Sequence, residues 1–445
     1  MKNDPSTLRS ARVPATQIER SARSASLFMR LGANAGRQIA KDFFASREID
    51  VKSALLTTQN IKSTVNSLKH LRGAAMKFGQ LVSLDDSVVL TPELADIFAE
   101  LRNSGYAMPP KQLRQVLDRN WGVGWQKHFK SFDVRPIAAA SIGQVHRAKL
   151  KSGEEVAIKV QFPNMRRAID GDVRTLASIV KTFGLTPENL DVDHYAALAR
   201  DQLMAETDYL QEAENLRSFA QYLSGDQRYR VPTVIEQLCT ADVLVMSLEQ
   251  GVELDTVRTW SMDARNNVAK ALLCLILREI FEFNHVQTDP NLANYLIDTE
   301  THQLVLLDFG ACVQISDESG EIYQALLNAG LTLDPKCIKN VLIEHHLLPP
   351  ELDQQEDKFV DRVIETVIDD LSKSPLFSLA DSRVFDLLDL NDVKLYTALL
   401  PHENLPVDLI FTQRKIIGLV LFLRTLNTQL PIMEILKGYQ RQASG

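Results

Sequence analysis

Cysteine is scarce in this chain, with four among 445 residues. Cys239, Cys274, Cys312 and Cys337 are scattered, and no pair has the spacing of a metal clasp or a redox motif. A disulfide framework is thereby excluded, and free thiols in a reducing compartment are expected. Long apolar runs are missing as well. The longest candidate, "IIGLVLFL", is far short of the roughly 20 residues a membrane-spanning helix needs. Positive charge is not in excess: 49 Lys and Arg face 57 Asp and Glu, for a net charge of −8. With no basic stripe interleaved with aromatics, no nucleic-acid role is expected. A secretory signal is also lacking. The first 52 residues hold ten Lys and Arg against five Asp and Glu and are rich in Ser and Ala. They faintly resemble a transit peptide, a likeness the acidic residues weaken.

What is present is globular. An apolar fraction of 45 % and a charged fraction of 24 % are ordinary for a folded chain, and the length allows two or three domains. Over Ile18–Phe44, Leu27, Leu31, Ala35, Ile39 and Phe43 recur every four residues and predict a helix. It would pack on the protein's own body in preference to a membrane surface. Helical sequence continues through "IKSTVNSLKHLRGAAMKFGQLVSL". "LTPELADIFAELRNSG" predicts a further helix, with Thr91 as cap and Pro92 in the first turn. "MPPKQLRQVLDRNWG" predicts another. The texture then changes. "SFDVRPIAAASIGQVHRAKLKSGEEVAIKVQFP" alternates and carries a "KSGE" turn, which predicts a hairpin or meander. Residues 194–223 read as helix, and "RVPTVIEQLCTADVLVMSLEQGVEL" as two strands joined by a turn. From Trp260 the chain is mainly helical, interrupted by a hairpin at "ANYLIDTETHQLVLLDFGA". A small β-rich unit followed by a larger helical one predicts an α+β, two-lobed, protein-kinase-like fold behind an all-helical N-terminal extension. The expected divisions are 1–130, 131–253 and 254–445.

The chemistry concentrates in "TDPNLANYLIDTETHQLVLLDFG". Asp289 and Asn294 are five apart, and Asp308 follows fourteen residues later. In a kinase site an Asp aligns or deprotonates the attacking group, while an Asn five residues on and the DFG Asp hold Mg²⁺. Oxygen donors of this kind suit that hard cation. Lys159 in "VAIK" is the second element. A lysine amid an apolar strand is costly to bury without an anion, and here it would hold nucleotide phosphates. Its carboxylate partner must come from "LMAETDYLQEAEN", which offers Glu206, Asp208 and Glu212; the last two, four apart, would share a helix face. Upstream, Ala138, Ala139, Ala140 and Ser141 occupy the place of a glycine-rich phosphate loop, with Gly143 the only glycine in the stretch.

Several parts of a protein kinase are missing. Gln287–Thr288–Asp289 stands where H-R-D is usual, Asn291 replaces the catalytic-loop lysine, and no A-P-E follows Asp308. These are the parts that dock and regulate peptide transfer, so phosphorylation of protein chains is disfavoured.

The segments "RGAAMKFGQLVSLDD", "AAASIGQVHRA", "VAIKVQFP", "ETDYLQEAEN", "RVPTV", "QTDPNLANYL" and "LLDFGA" together resemble the UbiB/ADCK atypical kinases, the aarF-domain family, and within it the coenzyme Q–associated branch. The likeness covers roughly residues 70–315 and departs at Leu292–Ala293 in the metal loop. It implies that the alanine loop covers the nucleotide, alters nucleotide preference and restrains self-phosphorylation. It implies that "KFGQ", Lys77 to Gln80, lies where a peptide would otherwise enter. Glu206 and Asp208 would meet Lys77 and Gln80, while Glu212 pairs with Lys159. The nucleotide-binding set is then Ala138, Ala139, Ala140, Ser141, Lys159, Glu212 and Glu249; Asp289 and Lys159 are catalytic, and Asn294 and Asp308 bind metal.

The resemblance implies a Mg²⁺- and ATP-dependent ATPase or small-molecule kinase supporting ubiquinone biosynthesis. It would act on lipid or quinone-precursor molecules, with peripheral membrane contact and ubiquinone-biosynthesis proteins as partners. A nucleotide-gated pseudokinase and a protein kinase are the alternatives. The short stretch before "VPATQIER" suits a bacterial chain better than an imported one. The expected setting is therefore cytoplasmic or peripheral on the inner membrane face, with mitochondria less favoured.

Overall fold

The strand Glu155–Gln161 organises the first sheet. Its alternate side chains Val156, Ile158 and Val160 enter one apolar cluster, while Ala157, Lys159 and Gln161 point to the other face. The strand pairs antiparallel with Gly143–Leu150 on one side and with Val243–Ser247 on the other. Phe129–Phe132 and the two-residue strand Ala138–Ala139 both pair with Gly143–Leu150. The apolar face is covered by the helix Pro110–Trp121 through Leu113, Val116 and Leu117, with Trp125 and Phe129 completing the cluster. The computed structural model describes residues 9–10, 29, 71–82, 106–183, 191–387 and 405–440. The helices expected over Ile18–Phe44 (Met29 apart) and from Thr91 lie outside these.

The described chain divides into two compact units. The first comprises Met1–Glu214 with Thr233–Leu248, the second Asn215–Pro232 with Glu249–Gly445. In the first unit, the helix Arg72–Val82 packs against Met165–Phe183 and Val192–Glu206. The single helix expected over 194–223 is two helices, Val192–Glu206 and Tyr209–Tyr222. The break falls at Thr207, whose hydroxyl turns back onto the Met204 carbonyl at 2.7 Å. Threonine competes in this way with the helical backbone. The strand pair expected across "RVPTV…VEL" is also not a hairpin. Val243–Ser247 joins the first sheet, while Tyr229–Arg230 and Val252–Glu253 belong to a sheet of the second unit.

That second sheet runs Tyr229–Arg230, Leu304–Leu306, Tyr295–Ile297, Val252–Glu253, and its central pair is the hairpin read from the sequence. A two-stranded ladder joins His285–Gln287 to Cys312–Gln314. The helix Met262–Phe281, capped by Ser261, carries ten buried residues. Ile276 and Ile280 share a core with Val286, Ile315, Ile322, Tyr323 and Leu409. The helix Val407–Leu426 packs alongside it. No helix among the described residues is long and apolar enough to cross a membrane.

Candidate functional site

In the first unit, the Lys159 side chain stands between the cross-strand neighbours Val145 and Leu244. Its Nζ donates to both Glu212 oxygens, at 2.7 and 2.9 Å. The two side chains are 9 % and 1 % exposed. Nζ also lies 5.2 Å from the centre of the Tyr209 ring. Bidentate charge-assisted bonding of this kind fixes the ammonium in one place. Glu212 sits in the first turn of Tyr209–Tyr222, where the helix dipole favours a carboxylate.

The alanine segment is a tight turn. Ala138 and Ala139 oppose Val145 and Gln144, and the Ala140 N–H donates to the Gly143 carbonyl at 2.9 Å. None of residues 138–143 has positive φ, so alanine meets no backbone penalty here. Gly143 is needed for space instead: a Cβ there would lie 2.5 Å from the Val160 carbonyl oxygen and 2.8 Å from the Tyr209 hydroxyl. Ser141 is held on two sides. Its hydroxyl donates to Glu206 Oε2 at 2.6 Å. Its carbonyl faces Gly73, where a Cβ would approach to 3.1 Å.

Lys77, on the helix Arg72–Val82, pairs with Glu206 at 2.5 Å, their side chains 3 % and 11 % exposed. Glu206 thus bridges this helix and the alanine turn. Asp208 does not share that role. It is exposed, and its Oδ1 accepts the Gln211 N–H at 3.1 Å at the start of the next helix. Asp208 and Glu212 flank the start of that helix, after the break at Thr207: the Glu212 N–H donates to the Asp208 carbonyl, and Glu212 is buried where Asp208 is exposed. Gln80 lies on the same helix as Lys77; its side chain is not among those described.

In the second unit, Asp289 Oδ1 accepts the Asn291 N–H at 3.2 Å. Asn291 Oδ1 in turn accepts the Ala293 N–H, folding residues 292–294 into a short 3₁₀ turn that buries Asn294. The Asn294 carbonyl accepts the Leu307 N–H at 2.9 Å, tying this turn to the residue before Asp308. Asp308 Oδ1 accepts the Gly310 N–H at 3.0 Å. Thr288 donates twice to the Ala311 carbonyl, from its N–H at 2.7 Å and its hydroxyl at 2.9 Å. Phe309 is fully buried, its ring 4.6 Å from that of Phe219, and its carbonyl accepts from Asn215 Nδ2. Glu249 lies 3.8 Å from Arg230, which also pairs with Asp298.

Asp289, Asn294 and Asp308 offer the oxygen donors of a hard cation. One observation bears on the fit: Asn294 Nδ2 is buried with no hydrogen-bond partner. With the amide turned over, an oxygen occupies that place, and a cation would satisfy it. Among the described residues no group of three or more His, Cys, Asp and Glu forms a metal cluster.

Sequence reasoning missed two features. The Ser141–Glu206 bridge joins side chains 65 residues apart in sequence, which periodicity does not show. The buried pair Glu279–Lys415 left a signal, two adjacent charged residues in each of the apolar runs "ALLCLILREIF" and "IFTQRKIIGLVLFL".

Residues 100–342 match the ABC1 atypical kinase-like domain. The chain is 39 % identical over 323 residues to the atypical kinase COQ8B, mitochondrial, of Rattus norvegicus, covering 72 % of this chain and 61 % of the relative. It is 34 % identical over 384 residues to the atypical kinase COQ8, mitochondrial, of Saccharomyces cerevisiae, covering 85 % and 76 %. The chain thus spans less than two thirds of the rat relative's length. A solved structure, the complex of Rv3197 with erythromycin from Mycobacterium tuberculosis, shares the fold with TM-score 0.58 at 22 % identity, over 88 % of this chain and 99 % of that one. The expectation that a mitochondrial setting is the less favoured one is overturned: the rat, budding-yeast, fission-yeast and nematode relatives are all named as mitochondrial. With the alanine turn, the Lys159 strand and the Asp289–Asp308 segment all inside the matched region, the chain belongs to the ABC1 atypical kinase-like family, the UbiB/ADCK kinases.

Proposed function

We propose that this chain binds ATP with Mg²⁺ and hydrolyses it, or passes its phosphoryl group to a small molecule, in support of ubiquinone biosynthesis. The observation that carries the reading is the Lys159–Glu212 pair. A buried ion pair is a poor stabiliser by itself, but a lysine held by two carboxylate bonds on a central strand is ready to bind nucleotide phosphates. The Ala138–Ser141 turn would lie over the nucleotide. Asp289 would accept or align the proton of the attacking oxygen. Asn294 and Asp308 would hold Mg²⁺, which when bound neutralises phosphate charge and polarises the bond to be broken.

Two features support a small-molecule or water acceptor over a protein chain. The helix carrying Lys77 is locked to Glu206, and Glu206 to Ser141 of the alanine turn. The sequence lacks the H-R-D arginine and the A-P-E segment that serve peptide substrates. Action on or near membrane lipid intermediates, including quinone precursors, is part of this reading. The absence of peptide-docking parts from the sequence supports it.

The experiment is Mg²⁺-dependent ATP hydrolysis by the purified chain, with and without liposomes, beside Asp308→Asn. Turnover that rises with membrane and disappears in the variant is the expected result. Nucleotide binding without turnover in any condition would replace the enzyme with a nucleotide-gated regulator. Phosphate transfer to protein would revive the protein-kinase alternative.

A further inference from the structure

Helix Val407–Leu426 lies beyond the stretch 100–342 that matches the family domain, yet it reaches the Asp289–Asn294 loop at two points. Lys415 Nζ forms an ion pair with Glu279 of the helix Met262–Phe281, the two side chains 6 % and 0 % exposed. Tyr295, directly after Asn294, lies against this pair, and its hydroxyl meets Gln287 Oε1 at 3.4 Å. The charges are therefore flanked by the residues that open and close the loop, Gln287 and Tyr295. The second point is Gly418. A Cβ there would fall 2.6 Å from Cβ of Pro290, the residue after Asp289, so the helix backbone abuts the loop itself. An apolar gap of about 20 Å³ is edged by Pro290 and Leu292 of the loop and by Tyr295, Lys415 and Phe422.

Stability does not explain the charges. Burial pushes the Glu279 carboxyl up, with Lys415 and the Gln287 main chain opposing it. Burial acts to lower Lys415, and Glu279 together with Tyr295 and Cys312 outweighs it, so the ammonium is held above its ordinary range. An apolar pair of similar volume would hold the two helices together at no desolvation cost. What the ion pair supplies, and an apolar pair would not, is a fixed polar point beneath the loop.

We infer that the helix Val407–Leu426 is a positioning element for the Asp289–Asn294 loop, with Lys415 setting the loop from below through Glu279 and Tyr295 and Gly418 setting it at Pro290. The inference deepens the proposed nucleotide reading and rests on it for the loop's task. Lys415 and Gly418 act through other residues, as supporting groups around a metal ligand do, and changes to such groups weaken metal-dependent binding by about 10–100-fold.

The test uses the full chain with Lys415→Met, Lys415→Arg and Gly418→Ala. A fluorescent ATP analogue is titrated in EDTA and in Mg²⁺, and amide hydrogen exchange is followed over residues 287–297 and over the helix Met262–Phe281. The expected result is metal-free affinity close to that of the unaltered chain and a gain from Mg²⁺ reduced by about tenfold or more. Loop exchange should rise while the helix keeps its protection, and Lys415→Arg should recover much of the gain. Gly418→Ala leaves the ion pair in place, so it carries the test if Lys415→Met does not fold. An unaltered Mg²⁺ gain and unaltered loop exchange in the folded variants overturn the inference. If the unaltered chain shows no Mg²⁺ gain, the nucleotide reading fails, and loop exchange alone decides whether the helix positions the loop.

Discussion

Glu206 holds Lys77 with one carboxylate oxygen and the Ser141 hydroxyl with the other, at 2.5 and 2.6 Å. One side chain thereby joins the helix Arg72–Val82 to the alanine turn. A double-mutant cycle of Lys77→Met and Glu206→Gln should show coupling of about 1–3 kcal/mol in urea unfolding, since both partners are largely buried and in contact. Additive losses would mean that the helix is held by packing alone.

Glu212→Gln removes the carboxylate from beside the Lys159 ammonium. Breaking one side of a buried pair typically costs about 3–5 kcal/mol. Replacing both residues, as Lys159→Met with Glu212→Leu, should recover a large part of that stability without recovering nucleotide binding. Denaturant midpoints and nucleotide titration on the same three chains separate the two effects.

The alanine turn predicts opposite outcomes at neighbouring positions. Gly143→Ala drives a methyl against the Val160 carbonyl, and overpacking of this kind costs about 1–3 kcal/mol. Ala139→Gly removes only a side chain and loosens the segment by about 0.5–1 kcal/mol. The expected result for Ala139→Gly is a changed ratio of ATP to ADP affinity in a chain of near-normal stability. Unchanged nucleotide affinities would show that the turn's stiffness has no part in selection.

His146 predicts a pH dependence. Its Nδ1–H donates to the Asp133 carbonyl and its Nε2 accepts from Gln144, so the neutral ring fills both bonds. Burial pulls it down to about 4 from an ordinary 6.5, with the Asp133 contact opposing. The unfolded chain binds this proton first as pH falls. The contribution to stability is therefore complete above about 6.5 and is lost on descending towards 4. Between about pH 7.5 and about pH 5 the chain should lose about 2 kcal/mol more than His146→Gln does. Equal losses would place the ring outside the core.

The legible parts of this chain were those whose physics is local. Alternation around Lys159 gave the central strand, "KSGE" the turn that feeds it, and the Asp289–Asn294–Asp308 spacing the loop with its hairpin. The unread parts depend on contacts between distant segments. No period separates one helix over 194–223 from two, because the break is a threonine hydroxyl turned on its own backbone. Spacing groups Asp208 with Glu212, and that same break leaves Asp208 exposed while Glu212 is buried. The strands at 229–230 and 252–253 are two residues each, too short for alternation to show, and each finds its partner far along the chain.

The turn Ala140–Gly143 is closed on itself, tethered through Ser141 and faced by Gly73. A segment built this way gives up its freedom when the chain folds, and little is left to surrender when a ligand arrives. Recognition at this turn should accordingly resemble a rigid mould: a small entropic penalty on association, and rejection of bulkier phosphate groups by shape rather than by slow adaptation.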